Sequence, residues 1–112
     1  MARVDVVREI AADPAGVALL LAGPAARELW PAPAAQFGPP SRSGLGFALT
    51  VTVGGNGSVA HGTVTVRAGE TPGTCVVRFT VPDAAAAATV GEHARRFLDG
   101  LAERARSRSS AA

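Results

Sequence analysis

The chain has 112 residues, 47 % of them apolar and 18 % charged, with a formal net charge of +2. That balance excludes a disordered chain, which needs low hydrophobicity and high net charge. The length suits one core, since two half-size domains would each be too small to bury one. All eleven basic residues are arginine, and lysine and tyrosine are absent. With the abundant alanine, this reads as GC-rich coding bias, as in an actinobacterium-like genome. A pI near 10.0 is therefore no argument for nucleic acid, and no nucleic-acid partner is expected.

A single cysteine, Cys75, excludes an internal disulfide and any multi-cysteine metal site. His61 and His93 lie far apart and lack a metal-ligand spacing. No metal and no cofactor are expected. Residues 1–10 alternate charge and valine, without the apolar core of a signal peptide. The longest apolar stretch, around residues 17–22, is far short of the ~20 residues that span a bilayer. The expectation is a cytoplasmic protein with no membrane span.

Residues 3–10 read as a strand, with Val4, Val6 and Ile10 on one parity and Arg3, Asp5 and Glu9 on the other. Arg8 falls on the apolar parity. Either a bulge turns it to solvent, or it sits in a polar spot and reaches a carboxylate or a ligand anion. Asp13-Pro14 then starts a helix, with a carboxylate at the N-cap and proline at the first position. This helix runs through GVALLLA and stops at Gly23-Pro24. A second short helix, AARELW, ends at Pro31.

Pro39-Pro40 forbid a central strand, so an edge strand is predicted around residues 34–38, followed by a loop. LGFALTVTV is a half-buried antiparallel strand. Leu45, Phe47, Leu49, Val51 and Val53 share its inner face, and Thr50 and Thr52 lie opposite. The run Gly54-Gly55-Asn56-Gly57 supplies a hairpin turn. Its partner strand, SVAHGTVTVRAG, turns Val64 and Val66 inward, and His61, Thr63, Thr65 and Arg67 outward. After a turn at residues 70–73, TCVVRFTV places Cys75, Val77, Phe79 and Val81 together, and Pro82 ends it. A helix is expected from about Ala84 to Arg106. Thr89 with Glu92 forms a capping box there, and Asp83 is the alternative cap. Val90, Ala94, Phe97, Leu101 and Ala105 form its apolar stripe, with Leu98 beside them and His93 on the flank. The tail from about residue 107 is expected to fray. No repeat and no second domain is visible.

The order is one strand, two short helices, an antiparallel meander and a long amphipathic C-terminal helix. That order, with the segments VVREIAADPAGVALLL, ELWP and RRFLDGLAERA, resembles the START-like helix-grip superfamily (SRPBCC), many of whose bacterial members are labelled polyketide cyclase/dehydrase. The resemblance covers about residues 3–106. It implies an α+β helix-grip fold, a curved antiparallel sheet packed on the C-terminal helix. It also implies a pocket for an apolar molecule between them. The physics agrees on the cover: a sheet with one apolar face needs one, and the last helix carries the long stripe.

The residues placed to line such a pocket are Trp30, Phe47, Leu49, Val77, Phe79, His93, Phe97 and Leu101. They have two readings, a packed small core or the wall of an open cavity. His93 is a candidate acid or base, or simply a flank residue. Cys75 is most simply a small buried hydrophobe. GGNG joins two strands and is no phosphate loop, and no GxSxG elbow exists. The expected function is binding of a small, largely apolar ligand, lipid- or polyketide-like. One alternative is a polyketide cyclase, aromatase or dehydrase-like enzyme drawing on His93, Arg8, Cys75, and Thr50 or Thr63 if their parity is reversed. The other is a protein-interaction module with a filled core. The short chain also suggests an incomplete sheet whose edge pairs with a second copy as a homodimer.

Overall fold

The computed structural model describes residues 2–31, 35–55, 58–84 and 86–111, without the side chains of 54, 55, 58 and 108–111. The elements are β1 (Ala2–Ile10), α1 (Pro14–Ala22), α2 (Ala25–Leu29), β2 (Ala35–Phe37), β3 (Ser41–Ser43), β4 (Gly46–Gly55), β5 (Ser58–Ala68), β6 (Cys75–Ala84) and α3 (Ala87–Ala111). The strands form one antiparallel sheet in the order β1-β6-β5-β4-β2, and β3 also pairs with β4. The fold is α+β with the helix-grip layout: an open antiparallel sheet, short helices after the first strand and a long C-terminal helix.

The far edge is in effect one strand broken in two. β2 pairs Phe37 with Val51, and β3 pairs Ser41 with Ala48. Between them Gly38 donates its N–H to the Thr50 carbonyl at 2.8 Å. Pro39 and Pro40 lack N–H groups and insert one extra residue into the register there, which an edge tolerates and a central strand does not. The predicted loop thus contains β3, and the predicted edge strand is found at β2, with Ala34 outside the described residues. Gly44, at φ 61°, and Leu45 form the two-residue turn from β3 to β4. The turn leaves Leu45 97 % exposed, so it does not join Phe47 and Leu49 on the inner face. In the hairpin between β4 and β5, Asn56 and Gly57 lie outside the described residues.

The start of α1 is where the sequence places it, while its cap, the end of β6 and the start of α3 differ. Asp13 holds the N-cap position of α1 with Pro14 after it, but its side chain makes no capping bond. The strand β6 runs past Pro82 to Ala84. Val4 pairs with Val81 and Ala2 with Ala84, so Pro82 and Asp83 together oppose Arg3 in a bulge. Asp83 thus belongs to the strand, and α3 starts at Ala87. That start puts Thr89 inside the first turn, where neither predicted cap operates. At its other end α3, expected to stop near Arg106 and fray from about residue 107, continues as helix to Ala111.

Cover is shared between helices. α3 packs on β1 and β6, while α1 packs on β4 and β5. Val4 faces Gly91 and Arg8 reaches Asp99, so α3 runs alongside β1 in the same direction. The lengths agree: four strand residues and eight helix residues each rise about 12–14 Å. α2 rests on the later half of α3, with Leu29 over Gly100 and Glu28 paired to Arg104 at 3.4 Å.

Gly91 tests this packing. A methyl group there meets only Val4 Cγ1, at 3.9 Å, an ordinary contact. Glycine in a helix interior is ~1 kcal/mol worse than alanine. Gly91→Ala is therefore expected to stabilise by about 0.5–1 kcal/mol and to raise Tm by about 3–6 °C. Calorimetry showing a lower Tm would mean that α3 and β1 are closer than described.

Candidate functional site

Four aromatic rings from four parts of the chain meet between the sheet and α3. Phe79 comes from the inner face of β6, Phe97 from the stripe of α3, Phe37 from the edge strand β2, and Trp30 directly follows α2. Trp30 stacks on Phe79, with centroids 5.4 Å apart and planes at 17°. Phe37 stacks on Phe97 at 5.2 Å and 23°. Trp30 meets Phe37 edge-on at 6.2 Å and Phe97 tilted at 5.8 Å. The His93 ring stands edge-on to Trp30 at 5.7 Å. Offset-stacked and edge-to-face pairs of this kind add about 0.5–1.5 kcal/mol each beyond the area they bury.

The sequence explains the convergence. Phe79 lies on the inward parity of β6, with Val77 and Val81. His93 and Phe97 are one turn apart on α3 and look the same way. Pro31 follows Trp30 and forbids another helical turn, so the indole leaves α2 in extended backbone, at φ −75° and ψ 124°. Inside the cluster Phe79 and Phe97 are fully buried, while Phe37 and His93 are only half-buried. The cluster therefore comes to the surface between β2 and α3.

Of the residues picked from sequence, Trp30, Phe79, His93 and Phe97 are brought together. Val77 and Leu101 are buried in the same core. Leu49 is also buried, but it lies on β4, one of the two strands that α1 covers. Phe47 is half-buried at the β3–β4 end, where the Arg42 guanidinium sits 5.8 Å from its ring centre. Phe37 is the member that sequence reasoning missed. Its strand has only three residues and no alternation to read. The available signal was an aromatic residue immediately before Gly38-Pro39-Pro40 in a predicted edge strand.

The remaining candidates are placed plainly. Arg8 stays in register with Val77, at no bulge, and donates to the Asp99 carboxylate at 2.9 Å. Both side chains are about half exposed, so the pair is worth little on its own, ~0–1 kcal/mol. His61 points outward, with Nδ1 3.3 Å from Thr52 Oγ1 across β4 and β5. Thr50 and Thr63 are exposed on the outer face. Cys75 is fully buried. Burial, then the nearby Asp13 carboxylate, pushes its thiol up to about 11, so at neutral pH it holds no nucleophilic thiolate.

Electrostatically the site is almost bare. Among the described residues no polar or charged residue is buried. One buried polar atom stands out: Trp30 Nε1 has no hydrogen-bond partner there. Two open depressions lie elsewhere, one at the β3–β4 turn beside Arg67 and one on the outer sheet face between Arg3, Arg67 and Arg78. No group of three or more His, Cys, Asp or Glu able to hold a metal occurs among the described residues. Among the same residues no helix is long and apolar enough to cross a membrane. In comparison with known proteins, no family model matches the chain and no curated protein matches it.

Proposed function

We propose that this protein binds a small, largely apolar molecule, lipid- or polyketide-like, at the aromatic cluster between its sheet and α3. The observation that carries the reading is the half-burial of Phe37 and His93. A core sealed by its own packing would hide both rings; here they bring the cluster to the surface. Two partly exposed rings over a buried apolar cluster suit a ligand that gains affinity by burial and takes its orientation from one or two contacts. Burying about 200 Å² of ligand at ~25 cal/mol/Å² offers ~5 kcal/mol before association costs, so affinity is modest.

A filled-core interaction module is the second reading. Val77, Phe79, Phe97 and Leu101 have no exposed surface, so a ligand needs the half-buried Phe37 to move aside. The enzymatic alternative rests on the family resemblance alone, with His93 the remaining acid or base beside the rings.

Native mass spectrometry of freshly purified protein, followed by thermal-shift screening with fatty acids and fused-ring aromatics, separates these readings. A ligand at ten times its Kd stabilises by about 1.4 kcal/mol, which is a rise of about 5 °C. A co-purified mass or such a rise supports binding. Neither, with the fluorescence of Trp30 unchanged throughout, rejects it and favours the interaction module.

A further inference from the structure

Trp30 is 5 % exposed, and its Nε1–H has no partner among the described residues. A buried donor left unmade costs free energy, and native structures keep few of them. The indole has little freedom to escape that cost. Phe79 lies flat against it, and Phe37, Phe97 and His93 hold it from other sides. Replacing the ring with phenylalanine would keep most of the packing and remove the orphan. The N–H therefore asks for an acceptor that the described residues do not supply.

We propose that the Trp30 Nε1–H is the anchoring donor of this site and selects ligands that carry a neutral acceptor, a ketone, ether or amide oxygen, on a flat apolar frame. The inference rests on the apolar-binding reading above and adds the polar contact that orients the ligand. Neutrality follows from the surroundings. An anion taken into the cluster needs a buried partner charge, and no charged residue is buried among those described. Two arginines that reach toward α3 and α2, Arg8 and Arg104, are partly exposed and engaged with Asp99 and Glu28. A neutral oxygen needs one donor, and one is present.

The chain is its own reporter, with one tryptophan and no tyrosine. The full-length protein, labelled with ¹⁵N, is titrated with three probes: 1-tetralone, tetralin of the same frame without the oxygen, and 1-naphthoate with a charged acceptor. The expected result is that 1-tetralone moves the indole proton downfield and binds roughly fivefold to tenfold more tightly than tetralin, the worth of one hydrogen bond. Tetralin leaves that proton near its free position, and 1-naphthoate binds most weakly. W30F abolishes the preference, so that 1-tetralone and tetralin bind it equally. If W30F does not fold, the indole proton of the native protein decides alone. Equal affinities with an unmoved indole proton overturn the donor role and leave apolar binding standing. Tightest binding of 1-naphthoate overturns neutral selection. If no probe changes either the indole resonance or the fluorescence, the donor role and the binding reading fall together.

Discussion

Phe97→Ala is expected to remove about 3–5 kcal/mol of folding stability, the range for emptying a buried aromatic site. Phe97 has no exposed surface and touches three other rings: Phe37, Phe79 and Trp30. Those rings come from three other parts of the chain, so the void has no single flexible wall that can collapse into it. Domains of this size hold ~5–15 kcal/mol in all, and the loss is a large fraction of that. Tm should fall by about 12–25 °C. Phe47→Ala is the control. It deletes the same side chain from a half-buried position whose described ring partner is the Arg42 guanidinium, so about 1–2 kcal/mol is expected. Equal losses in urea titrations of the two variants would show that the aromatic cluster is not the centre of the core.

Alternation made most of the sheet legible. Leu49, Val51 and Val53 in β4, Val64 and Val66 in β5, and Cys75, Val77, Phe79 and Val81 in β6 recur at every second position, and all of them are buried. What alternation does not mark is where a strand ends. Leu45 continues the apolar parity of Phe47, yet the left-handed Gly44 turns the chain one residue earlier. Pro82 reads as a stop, but a bulge opposite Arg3 removes the need for its missing N–H. The alanine run after it favours helix from Ala84 on. Pairing of Ala84 with Ala2 holds that residue in the sheet instead. In each case a tertiary contact overrides a local preference.

The site was legible in part, for a related reason. Helical spacing marks Phe97 and Leu101 as a stripe, but a stripe does not say which strands it will cover. α3 takes β1 and β6, and α1 takes β4 and β5, which separates Leu49 from the α3 side of the sheet. Phe37 carries no periodic signal at all, because a three-residue edge strand has none. Arg8 looked misplaced on an apolar parity. At a sheet edge beside α3 that parity looks toward the helix flank, where Asp99 waits. The orphaned Trp30 N–H belongs to a different category: it depends on what surrounds one atom, and no pattern of residue types records that.

Gly62→Ala is expected to destabilise by about 2–3 kcal/mol, against the usual rule that alanine improves a strand glycine by roughly 0.5–1 kcal/mol. The reason is a fork in the sheet. β5 pairs with β6 from Ala68 up to Thr63 opposite Thr80, and beyond that point its described pairing is with β4 alone. Gly62 sits at the fork. A methyl group there would collide with the Thr80 carbonyl oxygen and come within 2.8 Å of Val81 Cγ2. The first of these is backbone, which cannot swing away as a side-chain end can. Gly100 makes the contrast, since the one close contact of a methyl group at that position is with the tip of Leu29, at 2.8 Å. Leu29 can rotate, and the helix gains from losing a glycine. Gly100→Ala should therefore lie within about 0.5 kcal/mol of the parent. The position of Gly62 also gives the variant a local signature. Amide exchange should quicken first at Thr63 and Thr80, the last paired residues before the fork, and only later along β4. Gly62→Ala as stable as the parent, with exchange at Thr63 and Thr80 unchanged, would mean that β5 and β6 do not approach each other as closely at the fork as described.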